Sequence, residues 1–199
     1  MRAYCIILTL SVSLDSNVLN AQQARYWVTL TDLTVAPLTS IDQNAEFVMS
    51  VYTQDLRDDP RGVFAAYVDV AYDADLAAPI GPIDHEDIYV AGVSGSTAQR
   101  GLLDEVGGLD GISGLGGGAF KVFSLRFASQ QESGTLTFQT GPATDQVQHP
   151  TLLFGATSVL DPSEISFGTA SLRIVPEPNS ACLFTLGWAF FARLRQRRK

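Results

Sequence analysis

Apolar and polar residues alternate with a period of two through the middle of the chain, over residues 25–174. A half-buried β-strand shows this alternation because successive side chains point to opposite faces of a sheet. The clearest apolar rows are Tyr26, Val28 and Leu30; Phe47, Met49 and Val51; Phe64, Ala66, Val68, Val70 and Tyr72; and Phe123, Leu125 and Phe127. We predict that these four segments are strands with one face on a common core.

Weaker segments complete this pattern. Leu136 and Phe138 mark a shorter strand, and residues 152–160 and 165–175 supply two more. Residues 99–106 fit a single turn or a short helix. Many short strands separated by Gly, Pro and Asp turns are typical of a sandwich or a barrel, and no long stretch of this region has a helical period. The sequence therefore predicts one all-β domain over residues 22–174.

The charge of the chain divides into two parts. The formal net charge is -8 over 199 residues, but residues 22–174 hold 7 Lys and Arg against 19 Asp and Glu, a net of -12. Phosphate binding needs clustered Lys and Arg, so we expect no nucleic-acid partner. Five of the 13 basic residues form a basic tip in the last seven positions, at Arg193, Arg195, Arg197, Arg198 and Lys199.

The N-terminus has the layout of a secretory signal peptide. Arg2 precedes an apolar stretch that runs to Leu14, and polar residues follow it. A positive charge, a short apolar core and a small residue at the cleavage point are the parts of such a peptide. We predict cleavage after Ala21, so that residues 1–21 are removed and the mature chain starts near Gln22. A buried first strand of the domain is the alternative.

The C-terminal residues 175–199 combine three features in a fixed order. A Pro-Glu-Pro motif comes first, an apolar run over residues 181–192 follows, and the basic tip ends the chain. The two prolines prevent a helix or a central strand at their own positions. A helix over the apolar run is about 18 Å long, shorter than the ~30 Å hydrocarbon core, so spanning requires bilayer thinning or snorkelling arginines. We predict a transmembrane sorting helix with its basic tip in the cytoplasm; an amphipathic helix packed on the domain is the alternative.

This end resembles the PEP-CTERM sorting signal of bacterial exported proteins. The resemblance covers residues 175–199 and rests on the Pro-Glu-Pro motif, the apolar run and the Arg-rich end, in that order. It implies transient membrane insertion and cleavage by an exosortase, which is a membrane-embedded processing enzyme. It also implies a link to exopolysaccharide or to the cell surface. The residues that the processing enzyme would recognise are Pro176, Glu177 and Pro178.

The middle region carries a second resemblance. The segment from Phe64 to Leu76 is similar to cohesin-like modules, in which an alternating strand ends in a Tyr-Asp pair, a turn and a leucine. The strand around Phe123 and the terminal strand over residues 165–174 follow in the expected order. This resemblance covers residues 26–174. It implies a jelly-roll β-sandwich of antiparallel strands that binds a protein partner or a glycan.

Acidic turns are candidate calcium sites, because calcium takes several oxygen ligands from carboxylates and carbonyl groups. The candidate ligands are Asp73, Asp75, Asp84, Glu86 and Asp87, and a further acidic cluster contains Asp55, Asp58 and Asp59. No EF-hand spacing is present, so we predict solvated turns for these clusters, and calcium binding by one acidic loop is the alternative. We predict no other cofactor.

Other reactive residues have simpler interpretations. His85 and His149 lie beside proline-containing loops without HExxH or CxxC spacing, so we predict exposed loop histidines. Cys5 and Cys182 lie in the terminal segments predicted to be removed, which leaves the mature domain without a disulfide. Seven glycines within residues 107–118 lack the Lys-Ser/Thr of a P-loop and predict a flexible surface connection.

No arrangement of residues supports a catalytic assignment, and we predict a non-enzymatic protein. It would be exported, processed by an exosortase-like enzyme, and placed at the cell surface or in the extracellular matrix, where its sandwich binds an extracellular partner. One alternative is a carbohydrate-binding module acting on exopolysaccharide. The aromatic residues that would stack on sugar are Trp27, Tyr52, Tyr67 and Tyr89, and packing in the core or at a sheet edge is the alternative for each of them. A matrix polysaccharide hydrolase with paired carboxylates is the other alternative.

Overall fold

The computed structural model describes residues 22–85, 88–110 and 114–176. Within these ranges the chain forms twelve strands and one short 3-10 helix, Pro162–Glu164. The strands are β1 Ala24–Thr31, β2 Ser40–Asp42, β3 Glu46–Asp55, β4 Val63–Tyr72, β5 Ala77–His85, β6 Ala91–Ser96, β7 Leu102–Leu109, β8 Ala119–Ser129, β9 Gly134–Pro142, β10 Leu152–Leu153, β11 Ile165–Phe167 and β12 Thr169–Val175. The predicted all-β class is confirmed.

The strands form two sheets that enclose one core. Sheet A is five-stranded, with the order β11-β1-β3-β8-β5. Sheet B has the order β2-β12-β9-β4-β7-β6, and β10 pairs with β4 beside it. Among the described strands, the β1–β11 and β12–β2 pairs are parallel and the others are antiparallel. Two such layers with a shared apolar interior make a β-sandwich.

Gly168 allows the last segment of the domain to serve both sheets. On one side of it β11 pairs with β1 in sheet A, and on the other β12 pairs with β9 in sheet B. The Gly168 N–H donates to the Tyr26 carbonyl at 2.9 Å, and a Cβ at position 168 would lie 3.0 Å from the same oxygen. A side chain at position 168 would contact the β1 backbone more tightly than usual, so a glycine suits the crossing.

Aromatic rings occupy the centre of the core. Phe47, Phe127 and Phe138 are fully buried, and Tyr72 packs against the last two. Ring centroids lie 5.0 Å apart for Phe127 and Phe138 and 5.7 Å apart for Phe47 and Phe127. Such contacts add to the hydrophobic gain of burial. The predicted apolar rows of β1, β3 and β8 all belong to this core, which confirms those three predictions.

Strand β4 departs from its predicted row at one end. Its later apolar residues enter the core as expected, but Phe64 is only partly buried and joins a second, smaller cluster with Ala65 and Tyr67. Phe64 also packs edge-on against Phe154 at 6.1 Å. Because apolar side chains lie on both faces of β4, the period of two does not describe this strand completely.

The segment around β7 corrects two predictions. A turn forms at residues 99–101, but from Leu102 onwards the chain is strand β7 and not a helix. Gly107 and Gly108 also belong to β7 and not to a flexible connection. A Cβ at Gly107 would lie 1.8 Å from the Ala66 carbonyl oxygen, so the neighbouring strand leaves no room for a side chain. The alternation likewise did not predict β5 or β6.

Both terminal signals predicted from the sequence lie outside the described residues. These are residues 1–21 and the sorting segment from Glu177 onwards, with Pro178 and the basic tip; of that segment the structure describes Val175, the last residue of β12, and the exposed Pro176. Across the described ranges, no helix has the length and apolar character that a membrane span requires.

Candidate ligand-binding face

The outer face of sheet A presents side chains in rows that the strand register sets. In the first row, Trp27 of β1 lies opposite Tyr52 of β3, which lies opposite Lys121 of β8. These residues alternate with core residues along each strand, so they point away from the core. The next row across the same strands and β5 is formed by Thr29, Ser50, Ser124 and Asp84.

Two half-buried rings dominate the first row. The ring centroids of Trp27 and Tyr52 are 5.6 Å apart, and the ring planes differ by 17°. The guanidinium carbon of Arg25 lies 4.7 Å from the centre of the Trp27 ring. Arg25 and Trp27 share a face because they are two residues apart on one strand. Ring stacking and the cation–π contact together favour one arrangement of the three side chains.

A cleft of about 520 Å³ lies where β5 leaves β8, beside the second row. Ile80 pairs with Arg126 and Asp84 pairs with Ser124, so residues 81–83 bulge out of the ladder. The bulge contains a glycine with a φ of 83° and a proline, which has no N–H to pair. This local geometry opens the cleft, and it also protects the edge of sheet A from pairing with another chain.

The outer face of sheet B is different, because the loop after β9 folds over it. The His149 ring packs against Tyr67 with centroids 4.9 Å apart. His149 Nδ1 lies 2.9 Å from Glu105 Oε2, and the two form an ion pair when the imidazole is protonated. Glu105 Oε1 accepts a hydrogen bond from the Asp145 N–H at 2.8 Å. We call this segment, residues 143–151, the covering loop.

Asp69 joins the covering loop to the sheet below it. Its carboxylate accepts hydrogen bonds from the Glu105 N–H at 2.8 Å and from the Thr144 hydroxyl at 3.0 Å. Burial raises the pKa of Asp69, and the nearby carboxylates of Asp104 and Glu105 raise it further, against those two hydrogen bonds. Glu105 has a φ of 53°, which is uncommon for a residue with a side chain. These titratable groups hold a loop in place and do not line the cleft of sheet A.

Both histidines differ from the prediction of exposed loop residues. The His149 side chain is only 18% exposed because it packs against Tyr67 and Glu105 of sheet B. His85 is the last residue of β5 and is half-buried. Burial lowers the pKa of His85, against the opposite influence of Asp84.

Asp55 corrects the prediction of a solvated acidic turn, whereas Asp58 and Asp59 are exposed. Asp55 is 2% exposed, and its Oδ2 accepts from Arg57 Nη2 at 2.6 Å and from the N–H groups of Arg61 and Gly62 at 2.9 and 3.0 Å. Burial opposes ionisation, but these donors prevail and the pKa of the Asp55 carboxyl is lowered. The carboxylate therefore ties the end of β3 in sheet A to the start of β4 in sheet B.

The candidate calcium ligands occupy separate places. Asp73 and Asp75 lie in the turn before β5, Asp84 lies near its far end, and Glu86 and Asp87 are outside the described residues. Over residues 22–85, 88–110 and 114–176, no group of three or more His, Cys, Asp and Glu side chains could hold a metal ion. Calcium binding stays a prediction, which a comparison of melting temperatures in calcium and in chelator checks.

Two of the four aromatic candidates are unavailable for stacking on sugar. Tyr67 is 4% exposed and Tyr89 is fully buried, and burial raises the pKa of both. Their hydroxyls donate to the carbonyls of Gly92 and Val63, so both are structural residues and the alternative of packing within the fold holds for them. The other two candidates form the aromatic pair of the first row on sheet A.

Sequence reasoning did not find three parts of these surfaces. Arg25 was detectable, because its spacing of two residues from Trp27 places both on one face of a strand. The Gly-Pro pair at residues 81–82 was a signal for the bulge beside the cleft. No local sequence pattern predicts the contact between Glu105 and His149, because the two residues meet only when β9 is paired with β4.

Comparison with known proteins identifies the fold. No protein-family model and no curated protein matches the sequence. Among solved structures, a CaDoc–CaCohA2 complex matches with a TM-score of 0.53 and 12% identity, over 76% of this chain and 99% of the other. A cohesin module from a Clostridium perfringens family 33 glycoside hydrolase matches at 0.50 and 11%, over 79% and 100%. The third cohesin ScaC of Acetivibrio cellulolyticus, in complex with the ScaB dockerin, matches at 0.50 and 9%, over 76% and 99%. The described part of this chain therefore has a cohesin-like β-sandwich fold.

Proposed function

We propose that this chain is an exported, non-enzymatic binding protein of the cell surface or extracellular matrix. The observation that carries the proposal is the contrast between its two outer faces. The covering loop occupies one face, while the other displays an aromatic row beside a cleft. We assign the open face of sheet A to an extracellular partner. A protein partner is the first candidate, because the ScaC cohesin of similar fold was solved in complex with a dockerin.

The ends of the chain support export in this proposal. Residues 1–21 would direct secretion, and the apolar run would hold the protein in the membrane for a time, with its basic tip in the cytoplasm. An exosortase-like enzyme would then recognise Pro176, Glu177 and Pro178 and release the domain. The mature protein would keep the acidic sandwich and lose Arg2 and the five residues of the basic tip, so that residues 22–174 carry a net charge of -12.

Mass spectrometry of the protein isolated from its own cells tests this route. We expect a mature N-terminus near Gln22 and a C-terminus near the Pro-Glu-Pro motif. A variant with Pro176→Ala and Pro178→Ala should accumulate with its tail attached. Mature protein that begins at Met1, or that still carries Arg193 to Lys199, contradicts the proposed processing.

Binding to a glycan is the second candidate function. The specific observation in its favour is the half-exposed pair of Trp27 and Tyr52 on an open sheet face, next to the half-buried hydroxyl of Thr29. Aromatic rings provide apolar surface for the C–H groups of a sugar, and hydroxyl side chains can both donate and accept hydrogen bonds.

Site-directed photo-crosslinking in the native cells separates the two candidates. A photo-reactive amino acid replaces Thr29 on the open face of sheet A or, as a matched control, the exposed Thr137 on sheet B. We expect adducts from position 29 and none from position 137. A protease-sensitive adduct of discrete mass indicates a protein partner, and a protease-resistant, periodate-sensitive smear indicates a glycan. Equal adducts from both positions would contradict the assignment of the site to sheet A.

A further inference from the structure

Among the arginines of the described residues, Arg25 and Arg61 each lie over an aromatic ring without an ion pair, at 4.7 Å from the Trp27 ring and 5.4 Å from the Phe154 ring, and of these two Arg25 is the one on a strand of sheet A. Arg57 pairs with Asp55, Arg100 with Asp75, and Arg126 with Glu46. No carboxylate of the described residues forms an ion pair with the exposed Arg25. Its guanidinium is held over the Trp27 ring instead, and a stacked guanidinium keeps its N–H groups free to donate sideways.

The charge of the whole domain makes this feature informative. The domain carries a net charge of -12, yet its outer face on sheet A presents a fixed cation that no described acidic side chain neutralises. Arg173, on the outer face of β12 in sheet B, is also exposed and has no aromatic ring beneath it. Arg25 is thus a positioned cation that suits an anionic ligand, because the planar guanidinium matches a carboxylate with two parallel hydrogen bonds.

The neighbouring rows restrict the chemistry of that ligand. Trp27 and Tyr52 offer apolar ring surface beside Arg25, and the next row offers the half-buried hydroxyl of Thr29, while Ser50 and Ser124 are buried. Apolar C–H faces, many hydroxyl groups and periodic carboxylates occur together in acidic polysaccharides. We infer that the outer face of sheet A binds a carboxylated polysaccharide, with Arg25 on a carboxylate and the aromatic pair against the sugar rings. This inference rests on the second candidate function.

An acidic peptide fits the same surface less well. An extended peptide commonly gains affinity by adding a strand at a free sheet edge. Strand β3 is paired on both sides in sheet A, and β1 is paired with β3 along its length and with β11 over residues 24–26, so little free edge lies beside the aromatic pair. A sugar chain needs no backbone pairing and can lie across the strands.

Affinity electrophoresis and titration calorimetry of the purified full chain test the inference. The ligands are oligogalacturonate, a neutral cello-oligosaccharide and, as the peptide rival, poly-glutamate, all at one low salt concentration. We expect oligogalacturonate to bind, and we expect added salt to weaken this binding. Arg25→Gln should lower the association constant about tenfold, since losing a charge-assisted hydrogen bond has an effect of this order. Arg25→Lys should be intermediate because it keeps the charge and loses the planar fork, and the control Arg173→Gln should bind as the parent does.

Each of the other outcomes contradicts a specific part of the inference. Equal binding of acidic and neutral sugars, or binding that Arg25→Gln leaves unchanged, would contradict the role of charge. The glycan would remain the partner in that case. Tighter binding of poly-glutamate than of oligogalacturonate defeats the polysaccharide in favour of an acidic protein. Binding of no sugar defeats both the inference and the second candidate function, and leaves the protein partner and the export route to their own experiments.

Discussion

The two outer faces of the sandwich are both built from strands, but the face of sheet A is exposed and the face of sheet B is covered by a loop. On sheet A, the residues that alternate with the core remain at the surface, and Trp27 and Tyr52 stack there in half-exposed positions. On sheet B, Tyr67 occupies a comparable outward position on β4 but is 4% exposed, because the covering loop packs on it through His149. An outward aromatic residue is therefore available for binding only where no loop returns across its sheet.

The largest effect that we expect comes from the residue that links the two sheets. Asp55→Ala removes a buried carboxylate that accepts from Arg57, Arg61 and Gly62, and leaves those donors without their acceptor. We expect a loss of about 3–5 kcal/mol in the free energy of unfolding, measured by chemical denaturation.

The matched control for this change is Asp58→Ala, an exposed residue of the same type in the loop that follows β3. It should alter the free energy of unfolding by less than about 0.5 kcal/mol. Similar losses in the two variants would show that Asp55 does not join the sheets in the way described.

A smaller effect should follow from opening the covered face. Glu105→Ala removes the acceptor of the Asp145 N–H and the partner of His149. We expect a loss of about 1–3 kcal/mol, because a part-buried donor loses its acceptor, and faster amide exchange confined to the covering loop. Glu132→Ala, at an exposed glutamate in the turn before β9, is the control. Unchanged exchange in Glu105→Ala would mean that other contacts hold the loop.

Asp69, which binds the covering loop, should make a contribution to stability that depends on pH. Its folded-state pKa is raised by burial, so its contribution to stability is present below the ordinary pKa of about 3.9 and is lost as the pH rises through the raised value. We expect Asp69→Asn to gain stability relative to the parent as the pH increases from about 4 to 7. Parallel stability curves for the two proteins across this range would contradict the effect. Denaturation at a series of pH values measures it.

The smallest effect should come from the open face. The Arg126–Glu46 ion pair of sheet A has a separation of 3.5 Å, and both side chains are largely exposed. We expect Glu46→Gln to change the free energy of unfolding by less than about 0.5 kcal/mol, since solvent screens exposed pairs. A loss as large as that of Glu105→Ala would remove the distinction between an open and a covered face.

The parts of this structure that could be predicted from sequence are those with one-sided burial. β1, β3 and β8 show their apolar rows plainly because each has a core face and an outer face. β7 was missed from Leu102 onwards because it contains two glycines where neighbouring backbone leaves no space for side chains. The bulge of β5 interrupts its alternation in the same way. Local sequence cannot report such close approaches, because the neighbouring atoms come from distant parts of the chain.

Some features of the candidate site could likewise be predicted from local sequence, and others depend on contacts between distant residues. The sequence alone determined that Trp27 and Tyr52 belong to strands and point away from the core, because a period of two is a local property of the chain. It also determined the acidic charge of the domain and the order of features at the two ends. Only the tertiary structure decided that those two rings meet each other, that Arg25 lies over one of them, and that a loop hides Tyr67. The register between strands and the path of a loop depend on long-range packing, and a slip of one residue would exchange the buried and exposed sets.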